Sequence, residues 1–346
     1  MSNLSVSISS DSSARTPAVP LQIGMIGVGR YALTHLDLME GNRSLKLVGL
    51  CDVSPASLDR ARAAHPLLLE GARSYSDHRR MLQVERPDAV IICSPHRDHY
   101  QQVADCLDAG AHILVEKPLV NSSAQAEEII GKARNAGVVV GIAYQRHAIA
   151  PLRYIHEGIR AYRWGAVKSV CAYQQEGWKA ATAGTWRHDR EISGGGYLHD
   201  GGSHLVDLML WTTGLKVASV SAIQHNGDAP VDVSTVMSLR FEGGALGSLS
   251  VMGDVPGWSQ RLVIGCEQAT LVYSTDGDLQ VHSRKGVVIH VRKEEMPPDT
   301  DMVTNFLNAI QKGEPILAPL QCGLAVVRLT EAATESACAQ GRAVAI

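Results

Sequence analysis

Leu21-Gln22-Ile23-Gly24-Met25-Ile26 runs directly into Gly27-Val28-Gly29-Arg30-Tyr31-Ala32, and the reading of this stretch decides the fold. A mostly apolar run followed by glycine, glycine and a small residue at positions one, three and six reads as a strand, a tight turn and the start of a helix. The first glycine makes the turn, the second lets a pyrophosphate approach the backbone, and Ala32 lets the helix pack close to the sheet. The phosphates would sit at the helix N-terminus, beside Arg30 and Tyr31, where unpaired N–H groups and the helix dipole favour an anion. A plain glycine-rich turn between strand and helix is the competing reading. The strand–turn–helix context weighs against it.

Downstream the alternation continues. Tyr31–Glu40 reads as helix, Leu45–Cys51 as strand, Ser57–Ala64 and Asp77–Glu85 as helices, and Ala89–Cys93 as strand. His99–Ala109 reads as helix, Ile113–Val115 as strand, Ser122–Asn135 as helix and Val138–Ala143 as the closing strand. Strands apolar on both faces, separated by helices, predict a parallel sheet covered on both sides. Residues 21–145 are therefore expected to form a Rossmann-type, doubly wound α/β domain. Asp52 ends the second strand, twenty-five residues after Gly27. A carboxylate there accepts hydrogen bonds from the adenosine ribose hydroxyls and repels a 2′-phosphate, so NAD is expected in preference to NADP. Ser54 and Ser57 compete with Asp52 for capping the next helix.

After residue 145 the texture changes. Helical Pro151–Arg163 leads into the strand Val167–Gln174, a polar stretch Gln175–Gly196 and a helix at His204–Thr213. Strand-like runs follow at Ala218–His225, Val233–Phe241, Ala245–Met252, Gln260–Gly265, Ala269–Ser274 and Leu279–Ser283. Short glycine-bearing turns between them, Glu242-Gly243-Gly244 and Asp276-Gly277-Asp278, predict antiparallel pairing. With helices at Asp301–Lys312 and Leu320–Ala339, residues 146–346 are expected to form an α+β domain on one large, mostly antiparallel sheet.

Two further stretches carry chemistry. Glu116-Lys117-Pro118 follows the apolar run His112-Ile113-Leu114-Val115, which puts a charged amine at the carboxyl edge of the sheet, where open α/β sheets bind ligands. Proline stiffens the chain just beyond the amine. Ser193-Gly194-Gly195-Gly196 leads to Asp200-Gly201-Gly202-Ser203-His204; on a helical turn Asp200 and His204 would share a face. Histidine suits the role of accepting a proton from an oxygen near neutral pH. A lysine donor stabilises charge on the same oxygen.

These elements, in this order, resemble the glucose–fructose oxidoreductase / inositol dehydrogenase / rhizopine catabolism protein (Gfo/Idh/MocA) family from about residue 21 to the end. The resemblance implies Lys117, Asp200 and His204 as the catalytic trio, with Asp200 binding a neighbouring hydroxyl and raising the basicity of His204. Ser94-Pro95-His96-Arg97-Asp98-His99 is similar to the family's Thr-Pro-Asn-x-x-His segment, which lies along the cofactor. Ser94, His96 and His99 thus join Gly27, Gly29, Arg30, Tyr31, Asp52, Glu116, Lys117 and Gln145 as expected cofactor contacts, the role of His96 being open because the family has asparagine there. Arg146, Trp186 and Arg187, with Lys117, Asp200 and His204, are the implied contacts to a polyhydroxylated substrate. Members commonly pair through the second-domain sheet, so a homodimer or homotetramer is expected.

The expected activity is hydride transfer between NAD and a secondary alcohol of a sugar, inositol or related polyol. A glycoside-cleaving or epimerising enzyme that recycles a tightly bound NAD is the first alternative, and a non-enzymatic dinucleotide sensor the second. No metal is expected: His96-x-x-His99 has no third ligand nearby, and hydride chemistry needs none at His199-Asp200-x-x-x-His204.

Composition sets the bounds. With 346 residues, 45% apolar and 19% charged, the chain has ample core for two domains. A net charge of −3 without a basic cluster argues against nucleic acid or an anionic membrane surface. The seven scattered cysteines form no Cys-x-x-Cys pair, which fits a reducing, cytoplasmic setting. Residues 1–20, rich in serine, read as a disordered tail without the features of a signal peptide.

Overall fold

A computed structural model describes residues 20–346, so all but the last residue of the expected tail lies outside the described residues. The first sheet is built from β1 (Leu21–Ile26), β2 (Leu45–Cys51), β3 (Arg73–Tyr75), β4 (Ala89–Ile92), β5 (His112–Val115) and β6 (Val140–Ile142). All pairings are parallel, in the order β3-β2-β1-β4-β5-β6. The strand order reverses between β1 and β4, which opens a crevice at their carboxyl ends. Every residue of β4 is buried, as a strand covered on both faces requires. The edge strand β3 was not anticipated: Arg73-Ser74-Tyr75 is short, largely exposed and has no apolar run to mark it.

The second sheet has nine strands: β7 (Val167–Gln175), β8 (Val217–His225), β9 (Ser234–Phe241), β10 (Leu246–Met252), β11 (Ser259–Cys266), β12 (Ala269–Ser274), β13 (Leu279–Ser283), β14 (Val288–His290) and β15 (Val344–Ala345). Their order is β14-β13-β12-β11-β7-β10-β9-β8-β15. Only β7 and β10 pair in parallel; the rest are antiparallel. β9 alternates buried and exposed residues, so Met237, Leu239 and Phe241 face inward. They share a core with Leu205, Val206 and Met209 of the helix Ser203–Thr213 and with Val326 and Ala333 of the helix Leu320–Cys338. The two-residue β15 and the exposed β14 were not anticipated either.

The expected split at residue 145 needs one correction. The helix Met302–Lys312 does not cover the second sheet; its Val303, Phe306 and Leu307 pack with Ile23, Met25, Ile91 and Leu114 of the first. The chain then runs beside β6, where Ile142 N–H donates to the Ala318 carbonyl (3.0 Å). In the following helix a Cβ on Gly323 would come within 2.6 Å of Ile142 and 2.7 Å of Leu119, so glycine is what allows this helix to lie against the first domain. Helical periodicity marks which face of residues 302–312 is apolar but not which sheet it will cover. Burying each such Leu or Phe contributes about 1.5–3 kcal/mol, which joins the two units through the chain's return.

Candidate active site

The dinucleotide turn sits at the end of β1. Gly27 has φ +77°, and a Cβ there would lie 2.6 Å from the Ser94 amide nitrogen, so only glycine fits. Gly29 is different. It has an ordinary negative φ, and a Cβ would meet no protein atom within 4 Å. The room beside it is what a phosphate approaching the backbone needs. The helix Arg30–Met39 that follows has no side-chain cap and no acidic residue in its first turn, so its N-terminal amides suit an anion. The residues present therefore fit the pyrophosphate of a dinucleotide. Asp52 binds this turn to β2: one carboxylate oxygen accepts from Val28 N–H and the other from Ser54 N–H, both at 2.8 Å. Ser54, not Asp52, caps the next helix. Two lone-pair sites of Asp52 remain for ribose hydroxyls.

Glu116 and Lys117 leave the end of β5 in opposite directions. Glu116 accepts from His35 Nε2 (2.8 Å), a buried histidine on the helix after the dinucleotide turn. Burial alone would raise the Glu116 carboxyl, but the hydrogen bond and charge of His35 hold it below the ordinary range. Lys117 is 7% exposed and reaches across to the second domain, donating to Asp200 Oδ1 (2.6 Å) and the Asp200 carbonyl (3.2 Å).

Asp200 is the hub of the site. Its second oxygen accepts from Trp178 Nε1 (2.7 Å) and Arg187 Nε (2.9 Å). Burial would raise its carboxyl, but the charges of Lys117 and Arg187 and the Lys117 hydrogen bond hold it far below the usual carboxylate range. Asp200 makes no hydrogen bond to His204, so the expected support of His204 by Asp200 is corrected. The reason is local. The helix begins at Ser203, and Asp200 lies ahead of it in a turn closed by Gly202 N–H donating to the Tyr197 carbonyl (2.7 Å), so helical four-residue spacing does not apply.

The histidines divide into braces and one free ring. His99 is fully buried, with its two ring nitrogens on the carbonyls of Pro118 (2.8 Å) and Ser94 (3.0 Å). It ties the Ser94 turn to the Lys117-Pro118 turn. His96 likewise faces the second domain: Nδ1 donates to the Ser193 carbonyl (2.8 Å) and its ring meets Trp186 edge-on at 4.6 Å. Both rings are buried, and each has a nitrogen on a backbone carbonyl. His199 bonds Asn121 (3.1 Å), and burial lowers its imidazole to about 4. His204 is also buried, with Nδ1 unpaired and its ring edge-on to Tyr144 at 5.9 Å.

Arg146 is 7% exposed and makes one side-chain hydrogen bond, from Nη2 to Gln174 Oε1 (2.9 Å); Nη1 is buried without a partner. Burial lowers its guanidinium to about 10. Gln174 in turn donates to Tyr197 Oη (2.9 Å) and the Gly201 carbonyl (3.1 Å), which links Arg146 to the Asp200 turn. Ser94 donates its hydroxyl to Gln102 (2.5 Å), and Gln145 is exposed. Trp186 and Arg187 stack on one another, with the guanidinium carbon 4.4 Å from the ring centroid, and Arg187 is spent on Asp200. His35, Gln174, Trp178 and Tyr197 were missed in the sequence. His35 alone leaves a signal there, a polar residue on the buried face of a helix.

The glycine turn fits the pyrophosphate of a dinucleotide, and the Lys117–Asp200 pair joins the first domain to the second. Residues 21–144 match the model of the oxidoreductase family with the NAD-binding Rossmann fold, and residues 152–272 match the GFO/IDH/MocA C-terminal domain. The chain belongs to the Gfo/Idh/MocA family of NAD-binding oxidoreductases. D-glucoside 3-dehydrogenase of Escherichia coli (strain K12) is 30% identical over 213 residues, 59% of this chain and 57% of that protein, so the match spans little more than half of each. Rhizopine catabolism protein MocA of Rhizobium meliloti is 26% identical over 331 residues, 91% of this chain and 94% of that protein. The crystal structure of an oxidoreductase domain protein from Kribbella flavida shares the fold, with a TM-score of 0.85 at 23% identity over 95% of this chain and 100% of that one. No helix among the described residues is long and apolar enough to cross a membrane.

Proposed function

We propose that the protein is an NAD-dependent dehydrogenase that moves a hydride between a secondary alcohol of a sugar, inositol or related polyol and nicotinamide. The observation that carries this reading is the state of His204. Among the described residues it is the one buried histidine that makes no hydrogen bond; His35, His65, His96, His99, His147 and His199 all have partners. Buried polar groups without partners are rare, and one four residues beyond Asp200 suits a ring that waits for a substrate proton.

Lys117 has three N–H donors, and Asp200 takes two of them. The third remains for the substrate oxygen, where it stabilises charge as the hydroxyl proton passes to His204. With the pyrophosphate of a dinucleotide held at the Gly27–Gly29 turn, its nicotinamide would supply the hydride acceptor. Arg146, with its unpaired Nη1, and the Trp186 ring support a polyhydroxylated substrate. The D-glucoside relative supports the same class.

The test is a panel of sugars, inositols and related polyols incubated with NAD while NADH absorbance is followed. We expect net NADH from at least one member, with a basic limb in kcat/KM that disappears in His204→Asn. Turnover with an unchanged limb in that variant moves the base elsewhere, and no NADH from any member overturns the reading.

We also infer that two or four copies associate through the outer face of the nine-stranded sheet. Ile223, Val236 and Leu246 stand there 71%, 44% and 56% exposed among small residues such as Ser238 and Ser248. Light scattering that gives the mass of one chain at micromolar concentration refutes the association.

A further inference from the structure

Asp200 lies between two cations, and only one of them belongs to the expected trio. Lys117 holds Oδ1 at 2.6 Å, while Arg187 Nε and Trp178 Nε1 hold Oδ2 at 2.9 and 2.7 Å. Arg187 is itself fixed from two sides: its amide donates to Thr185 Oγ1 (3.4 Å), and its guanidinium lies over the Trp186 ring. Trp186 then rests edge-on against His96. Two donors on one oxygen set the plane of a carboxylate, so Oδ2 is not available to chelate the ammonium. An anion shared by two cations neutralises neither of them fully.

We propose that Arg187 is a positioning residue for this reaction. By taking Oδ2 it limits Asp200 to one side-chain oxygen on Lys117, so the ammonium keeps a donor and part of its charge for the reacting oxygen. The proposal rests on the dehydrogenase reading and departs from the expected role of Arg187 as a substrate contact. The other titratable groups facing the pair are His96, His99, His199 and Glu116. Burial lowers all three imidazoles, and Glu116 is turned toward His35. Arg187 is thus the cation bonded to Asp200 besides Lys117 whose charge persists at neutral pH.

Three variants separate the possibilities. Arg187→Met keeps a stem over Trp186 without charge or donor, Arg187→Lys restores the charge, and Trp178→Phe removes only the neutral donor. With the best polyol of the panel, Arg187→Met should lower kcat about tenfold with KM changed less than about twofold, the signature of an interaction that matters in the transition state. Arg187→Lys should recover most of that loss.

A second measurement needs no substrate. NAD-loaded protein is exposed to trace acetic anhydride across a pH series, and acetylation of Lys117 is read by peptide mass spectrometry. Removing a neighbouring positive charge favours the ammonium, so the labelling midpoint should rise by about one pH unit in Arg187→Met. It should return in Arg187→Lys and rise by less in Trp178→Phe. A raised KM with an unmoved labelling curve makes Arg187 a substrate contact and overturns the proposal. So does an unmoved curve in folded Arg187→Met, whatever the turnover. If wild-type protein oxidises no polyol, the dehydrogenase reading falls, and the labelling curves still decide what Arg187 does to Lys117.

Discussion

The two sheets place their functional residues by different physics. In the six-stranded sheet, topology does the placing: parallel strands all end at one edge, so Gly27 after β1, Asp52 after β2, Ser94 after β4 and Lys117 after β5 are brought together by strand order alone. In the second domain, the residues that meet Lys117 come from turns and short helical pieces between β7 and the helix Ser203–Thr213. What holds them is a set of side-chain hydrogen bonds, Trp178 and Arg187 to Asp200 and Gln174 to Gly201. A site built at such a seam can lose one half's contribution while the other survives, and that is where the contrast can be tested.

The strongest test removes the lysine that crosses the seam to Asp200. On the role proposed for Lys117, Lys117→Ala takes away the donor to the reacting oxygen and should cost on the order of a hundredfold or more in kcat. NAD binding should remain measurable by calorimetry, because the turn at Gly27 and Gly29 does not depend on the lysine side chain. It also leaves Asp200 with Arg187 as its remaining cation, so the protein should lose some stability. Near wild-type turnover in the variant, or loss of NAD binding equal to the loss of turnover, would break the division of labour between the two halves.

A smaller effect stays within the first domain. Asp52→Ser removes the charge that repels a 2′-phosphate and should move the kcat/KM ratio toward NADP by about tenfold, roughly 1.4 kcal/mol. Because Asp52 also accepts from Val28 and Ser54, the variant should bind NAD itself more weakly. If the wild-type protein already prefers NADP, Asp52 is not reading the ribose.

The contrast also explains what could be read from the chain. The first sheet was legible because each of its longer strands is apolar on both faces and the glycine turn has a fixed place in such a sheet. Lys117, Asp200 and His204 were legible as residues, but their arrangement was not. Four-residue spacing puts Asp200 and His204 on one face of a helical turn, whereas the helix begins only at Ser203 and Asp200 meets Lys117 instead. Trp178 and Arg187 sit in a stretch with no hydrophobic period, so nothing in the pattern says where they point. The motif at Ser94–His99 does not say that the His99 ring joins the Ser94 turn to the Lys117-Pro118 turn; the fold shows it. The helix Met302–Lys312 fails in the opposite way: its amphipathic face is plain, yet the sheet it covers is a tertiary fact.

The smallest predicted effect separates the halves by pH. Burial lowers the imidazoles of His96 and His199 at the seam, His199 to about 4. A group whose folded pKa is depressed binds fewer protons folded than unfolded, so stability falls as pH drops below the unfolded value of about 6.5 and levels off below the folded one. Going from pH 7 to pH 6 should cost about 0.7 kcal/mol for each of the two rings. His35 carries the opposite sign. Burial pulls it down, but Cys93 and Glu116 outweigh that and raise it well above its ordinary value. Its contribution is therefore fully present below about pH 6.5 and lost as pH climbs through the raised folded value. The same step to pH 6 should thus strengthen the first domain around the helix Arg30–Met39 while it weakens the segment from Trp186 to Asp200. Hydrogen exchange, corrected for the intrinsic pH dependence of the amides, should show protection falling in that segment and holding or rising in the helix. Replacing His199 with asparagine should remove about half of the seam's acid loss. Equal changes in both regions would mean that they open as one unit and that the seam has no stability of its own.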